Sequence, residues 1–394
     1  MWLIIQSILV YGFIAWIMTV YGMKLFRYQY PYGLNGYNRL EQKKFGVIKM
    51  LSRSNFVIPI FVFCLFAAIR YKVGVDCESY KETFYFYVTG FDVYKLIDKN
   101  EYGFETLIVL TSKIFDSHYF YLGVLTFLQI FPLYFAFRDQ RYILPFLGVA
   151  IMFTEMYFSL MNGVRQNIAA CMYVAMIPFI VDKKWLKGII LMLIAISFHK
   201  SALLLLPLGI AAFFIRNRIL DYKIQYVLMV ISYLLMDKIN LDLLQFAQFA
   251  GSAGYNERAI EVYTSLDATD KNFGIVMFLH YSVYVIIVFY SKRLKNLYNS
   301  QCFNIFYNLF FIGICLRMVF YNDFTMGRLL YYLRIFSPIM ISALLFYLWN
   351  DKSKVSKQNF WIVILLLITH LLWILYKASI AYPEECTLYK FDLF

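Results

Sequence analysis

The residues able to do chemistry in this sequence are few, and they sit where charge is costly. Arg70, Arg165, His199, Arg317, Arg328 and Arg334 each fall at or near the end of an apolar run, in segments far apart along the chain. Alone, a span-terminal arginine reads as an anchor whose stem lies in lipid and whose head reaches the surface. Several converging on one face read differently, because guanidinium groups stay charged when desolvated and grip phosphate through paired hydrogen bonds. Such a face would serve a lipid-linked phosphate or diphosphate.

The densest local feature is Asn162-Gly163-Val164-Arg165-Gln166, which sets two amides and a guanidinium in a short break between apolar runs. It reads either as a donor-rich binding turn or as a plain turn capped by Asn162 with Arg165 facing headgroups. His199 ends the run 189–198 and is followed by Lys200 and Ser201. An imidazole there would hydrogen-bond a diphosphate or take a proton from a sugar hydroxyl, and a polar hinge between helices is the bland alternative. Asp76 is the first carboxylate after an apolar run ends near Arg70, a candidate general base or acceptor for a sugar hydroxyl. Glu101 and Glu105 are lesser candidates, and Glu155 lies inside an apolar run, where it needs a partner or a proton.

These residues are carried by a strongly apolar chain. Of 394 residues 62% are hydrophobic and only 15% are charged, whereas a soluble domain carries about a quarter charged. That excludes an ordinary soluble enzyme, a disordered chain and a coiled coil. The expected fold is an all-α polytopic membrane protein of about 12 transmembrane helices, one integral membrane domain over 1–394. The apolar runs fall near 2–23, 55–70, 118–137, 143–161, 166–181, 186–199, 201–215, 224–236, 273–290, 302–320, 334–349 and 359–376. The segment 103–116 is interrupted by Glu105, Lys113 and Asp116 and is expected to lie at the interface or re-enter it.

The net charge of +13 reflects topology rather than nucleic acid, since Lys and Arg collect in cytoplasmic loops. The loops holding Lys43 and Arg53, Arg138 and Arg141, Lys183 and Lys187, Arg216 and Arg218, Lys292 and Arg293, and Lys352 and Lys354 are therefore assigned inside. Both termini then lie outside, as do two longer loops, about 70–117 and 237–272, expected to carry short amphipathic helices. The stretch 1–23 reads as an uncleaved first span. The six cysteines lack any metal-like spacing, and only Cys77 and Cys386, both assigned outside, are candidates to pair. Walker-type loops, metal signatures, Rossmann glycines and G-x-S-x-G are absent, so no cofactor or metal is expected.

Taken in order, Arg70-Tyr71-Lys72-Val73-Gly74-Val75-Asp76 with Tyr80, then Glu101-Tyr102-Gly103-Phe104, then Asn162 to Gln166, then Phe198-His199-Lys200-Ser201-Ala202 before Pro207 resemble the EpsG family of bacterial exopolysaccharide proteins. That family is related in role to Wzy-type O-antigen and capsule polymerases. The resemblance runs from about 70 to 210 and departs from the family pattern at Cys77 and Tyr102; beyond 210 it rests on hydropathy and the Arg328 and Arg334 region. It implies a GT-C-like glycosyltransferase in the bacterial cytoplasmic membrane with its active site outside. Such an enzyme moves a growing glycan from undecaprenyl diphosphate onto another lipid-linked repeat unit, with membrane lipids and a chain-length regulator as further partners and no nucleic acid.

On that resemblance Asp76 and His199 are the catalytic candidates. Arg70, Arg165, Gln166, Asn162, Arg328 and Arg334 are the diphosphate-binding ones, and Glu101, Glu105 and Arg317 are secondary. Six residues on a helix rotate by about 600°, so Arg328 and Arg334 do not share a face and at most one need line a site. The rival functions are a lipid-linked oligosaccharide flippase, which should show two similar halves, and a membrane O-acyltransferase, which would also use a histidine.

Overall fold

Apolar runs become helices here because a backbone in lipid must satisfy its own hydrogen bonds. The computed structural model describes residues 2–29, 50–74, 76–89, 101–236, 238, 274–321, 323–381 and 388–391. The loop expected over 237–272 lies outside them except at Lys238, and so does Cys386. Among the described residues six helices are long and apolar enough to cross a membrane: Trp2–Tyr28, His118–Ala136, Val164–Val181, Gln301–Val319, Leu329–Asn350 and Lys354–Ile380.

That is fewer than the dozen expected, and the difference has local causes. Ser54–Ala68, Trp185–Phe198 and Lys200–Phe214 are apolar but shorter. The run 143–161 is two helices, Leu144–Met152 and Met156–Met161, broken at Thr154 and Glu155. Thr154 turns its hydroxyl back onto the Ala150 carbonyl and accepts from Met156 N–H, so the chain exchanges one helical turn for side-chain bonds. The segment expected at the interface is a helix, Tyr102–Ile114, which buries Phe104, Ile108 and Thr111 along one stripe.

The chain forms two compact units, Met1–Ala202 with Pro338–Phe394, and Leu203–Ser337. The helices of the first are α1 (Trp2–Gln29), α2 (Ser54–Ala68), α3 (Cys77–Val88), α4 (Tyr102–Ile114), α5 (His118–Ala136), α6 (Leu144–Met152), α7 (Met156–Met161), α8 (Val164–Val181) and α9 (Trp185–Phe198). Past the second unit come most of α15 (Phe336–Asn350) and α16 (Lys354–Ala381). The second unit holds α10 (Leu205–Phe214), α11 (Tyr222–Leu234), α12 (Ile275–Tyr298), α13 (Gln301–Val319) and α14 (Phe324–Arg334). There Ser300 caps α13 through Phe303 N–H and Asp323 caps α14 through Met326 N–H.

In the first unit α1 packs on α6 and α2, α2 on α5, α5 on α8 and α8 on α9. The loop basic residues gather at one end of this bundle. Arg53 donates to the Tyr28 hydroxyl at 2.6 Å, Arg138 lies over Phe135 and Phe179, and Lys187 faces Phe179. Lys183, at φ 60°, ends α8 with Lys184 N–H donating to Phe179 O at 2.8 Å, a Schellman-type stop. From there α8 runs 18 residues back to Val164, about 27 Å at 1.5 Å per residue. The polar segments 70–74, 161–165 and 199–201, with Asp76, therefore belong to the other end.

Residues 388–391 close that end. Tyr71 N–H donates to Lys390 O at 2.9 Å, Tyr389 N–H donates to the Ser7 hydroxyl at 2.8 Å and the Tyr389 hydroxyl donates to Phe66 O at 2.6 Å. This ties the start of α1, the end of α2 and the 70–73 loop into one floor.

Candidate functional site

The start of α8 is the best-braced turn in the first unit. A helix leaves its first N–H groups without internal partners, and here the neighbours supply them. Asp76 accepts the Gly163 N–H at 3.0 Å while its own N–H donates to the Asn162 side-chain oxygen at 3.3 Å. The Tyr80 oxygen accepts from Val164 N–H and from the Arg165 guanidinium. Below the turn, buried Asn167 donates to Ser159 O at 2.6 Å and Asn162 O at 3.1 Å, and Gln129 donates to Leu160 O at 2.8 Å. Gly74, at φ 94°, lets the loop bearing Asp76 approach, since a Cβ there would stand 2.5 Å from Met161 O.

This bracing aims Arg165. Its Nη1 donates to Glu101 Oε2 at 2.5 Å, its guanidinium lies 5.2 Å from the Phe104 ring centre, and Tyr80 packs edge-on against Phe104 at 5.9 Å. Even so, 37% of its side chain is exposed, so Arg165 is only partly enclosed by these partners.

Glu101 is the hub. It precedes the first residue of α4 and is 4% exposed, and its second oxygen, Oε1, accepts from His199 Nδ1 at 2.5 Å. One carboxylate thus joins α4, α8 and the end of α9. The approach depends on Gly103, where a Cβ would collide with the Ser197 hydroxyl and stand 3.0 Å from the Ser197 backbone carbon. His199 is positioned as the residue that ends α9, its N–H donating to Ala195 O.

The electrostatics favour an ionised Glu101. Burial acts to raise its carboxyl pKa, but the hydrogen bond and charge of His199 and then of Arg165 outweigh burial and hold it below the usual carboxylate value. Burial raises the Tyr80 hydroxyl, with Arg165 opposing, so Tyr80 stays protonated near neutral pH. A carboxylate facing Nδ1 fixes the proton on that nitrogen and leaves Nε2 of a neutral imidazole as an acceptor. Among the described residues Nε2 has no hydrogen-bond partner, and 22% of the His199 side chain is exposed. The cluster therefore presents an oriented base beside a half-open guanidinium.

The other expected residues have different places. Arg70 is 1% exposed and donates to Val73 O at 2.9 Å and to Ala67 O, closing the end of α2. It is a buried brace of the floor. Asn162 and Asp76 brace the α8 turn, Gln166 is half-buried in its first turn, and Glu105 N–H donates to Glu101 O at 3.2 Å. Glu155 lies at the break before α7, where its carbonyl accepts Ser159 N–H at 3.0 Å. Arg317 and Arg334 lie in the second unit, the latter over Tyr331, as does Arg328 on α14. The cluster around Glu101 is built from the first unit alone. Tyr80, Phe104 and Asn167 were not singled out as site residues; the i, i+4 spacing of Asp76 and Tyr80 across a helix start was the available signal.

A family model described as the EpsG family matches residues 55–391 of the chain. No curated protein and no solved structure matches it.

Proposed function

Because the chain belongs to the EpsG family, whose members are Wzy-type polysaccharide polymerase-like membrane proteins, we propose that it is a polysaccharide polymerase working through Glu101, Arg165 and His199. The donor is a growing glycan on undecaprenyl diphosphate and the acceptor is a hydroxyl of another lipid-linked repeat unit. Transfer breaks the anomeric C–O bond to the diphosphate, forms a new C–O bond to the acceptor oxygen and releases the acceptor proton.

Each residue has a role in that balance. His199 Nε2 takes the acceptor proton, and Glu101 holds the ring and stabilises the imidazolium that forms. Arg165, fixed by Glu101, Tyr80 and Phe104, turns its open side to the leaving diphosphate, where negative charge grows. Two of the first N–H groups at the start of α8, those of Gly163 and Val164, are taken by Asp76 and Tyr80, and the Arg165 side chain supplies the positive charge. Asp76 serves as a positioning residue for the turn. The basic residues at the far end of α8 and the positive-inside rule support a site on the outer face of the cytoplasmic membrane.

The observation carrying this reading is one buried carboxylate holding a histidine and a half-open arginine drawn from three distant segments. Glycan-length analysis in a deletion strain complemented with Arg165→Ala or His199→Ala tests it. Single repeats transferred to the acceptor without long chains support polymerisation. Wild-type chain lengths, or lipid-linked units trapped on the cytoplasmic side, contradict it.

A further inference from the structure

A groove of about 550 Å³ opens in the first unit at its basic end, between α1, α6, α15 and α16. Its wall is apolar apart from Thr19, Lys24 and Arg27. We propose that it binds one anionic phospholipid, with the phosphate at Lys24 and Arg27 and the acyl chains along Phe146, Trp349, Phe360 and Trp361.

Charge complementarity selects this occupant. Lys24 and Arg27 are three residues apart in the last turns of α1, so they share a helix face. Both are exposed, and among the described residues neither pairs with a carboxylate. Asp351, two positions past the groove residue Trp349, is engaged by Ser356 at 2.6 Å and by Ser353 at 3.1 Å. Lys352, Lys354 and Lys357 are exposed around the start of α16, where a helix dipole disfavours cations. Basic pockets between membrane helices are suited to anionic headgroups.

The apolar wall fits the chains. Trp361 is 65% exposed, and Phe360 packs 5.3 Å from Trp349 and 5.7 Å from Phe146. Indole rings favour headgroup depth, so the cations and the tryptophans lie at the levels that a phospholipid's head and upper chains occupy. A second copy of the chain would have to bury Lys24 and Arg27 against a matching acid, and a neutral lipid would offer neither a net counter-charge, Lys24 keeping the Tyr21 ring 4.6 Å away.

Native mass spectrometry of the full-length protein, titrated with phosphatidylglycerol and with phosphatidylcholine of matched chains, tests the proposal. Wild-type protein should retain one phosphatidylglycerol in preference to phosphatidylcholine. Lys24→Gln with Arg27→Gln should weaken that binding by about tenfold or more. Lys183→Gln with Lys187→Gln removes the same charge from the same membrane end without touching the groove, and it should leave the preference intact. Equal retention of the two lipids by wild type, or equal loss in both double variants, would overturn it, as would displacement of phosphatidylglycerol by equimolar undecaprenyl phosphate. If the Lys24/Arg27 double variant does not fold, Arg27→Gln alone takes its place: a weaker preference for phosphatidylglycerol supports the site and an unchanged one overturns it.

Discussion

His199 Nδ1 stands 2.5 Å from Glu101 Oε1 across 98 positions of sequence, and the same carboxylate holds Arg165 through its other oxygen. This relationship makes Glu101 the residue that sets both the tautomer of the base and the direction of the guanidinium.

Asp76 separates two mechanisms. If it braces the α8 turn by accepting Gly163 N–H, then Asp76→Asn, which keeps an acceptor oxygen, should hold activity within about tenfold, while Asp76→Ala should lose about 10²-fold. Steady-state chain-growth rates of the two variants decide it. Equal inactivation of both would make Asp76 the base.

Gly103 tests the approach of α4 to α9. Gly103→Ala places a methyl against Ser197, which should part Glu101 from His199 and lower activity by more than about tenfold. Adding Ser197→Gly removes the hydroxyl and Cβ from that collision and should restore part of the rate. Full activity of Gly103→Ala in the same assay would show that the close contact is not needed.

Much of this was legible in the sequence and some was not. The order of Arg70, Asp76, Asn162 to Gln166 and Phe198 to Ala202 carried the family, and the basic loops foretold the charged end where Arg53, Arg138 and Lys187 gather. Glu101 is one acid among many in an acidic segment, and nothing local reveals partners 64 and 98 residues away. In the sequence Arg70 has the type and place of a phosphate ligand. Only packing shows its guanidinium turned onto Ala67 and Val73 carbonyls. The break at Thr154 and Glu155 was hidden by a run apolar enough to read as one helix.

The acid limb follows from Glu101. Its folded pKa lies below the unfolded value, so its contribution is fully present above the unfolded pKa of about 4.3 and is lost as pH falls through the folded pKa. The difference in unfolding temperature between wild type and Glu101→Gln should be large near neutral pH and shrink progressively as pH falls below about 4. A difference that widens toward acid would contradict the sign.

Arg165→Lys should not rescue Arg165→Ala. An ammonium cannot keep the Glu101 and Tyr80 bonds, lie flat on Phe104 and still offer donors outward. Both variants should fall by about 10²-fold or more in turnover, with little change in unfolding temperature for the lysine form. Near-wild-type turnover of Arg165→Lys would reduce the role to a point charge.

The most direct test is chain growth by the purified protein in lipid nanodiscs from lipid-linked repeat units, comparing wild type with His199→Ala, with and without added imidazole. The account predicts that His199→Ala forms no long chains and that imidazole restores part of the growth, because the missing function is a base held by Glu101. Long chains from His199→Ala without imidazole would contradict it.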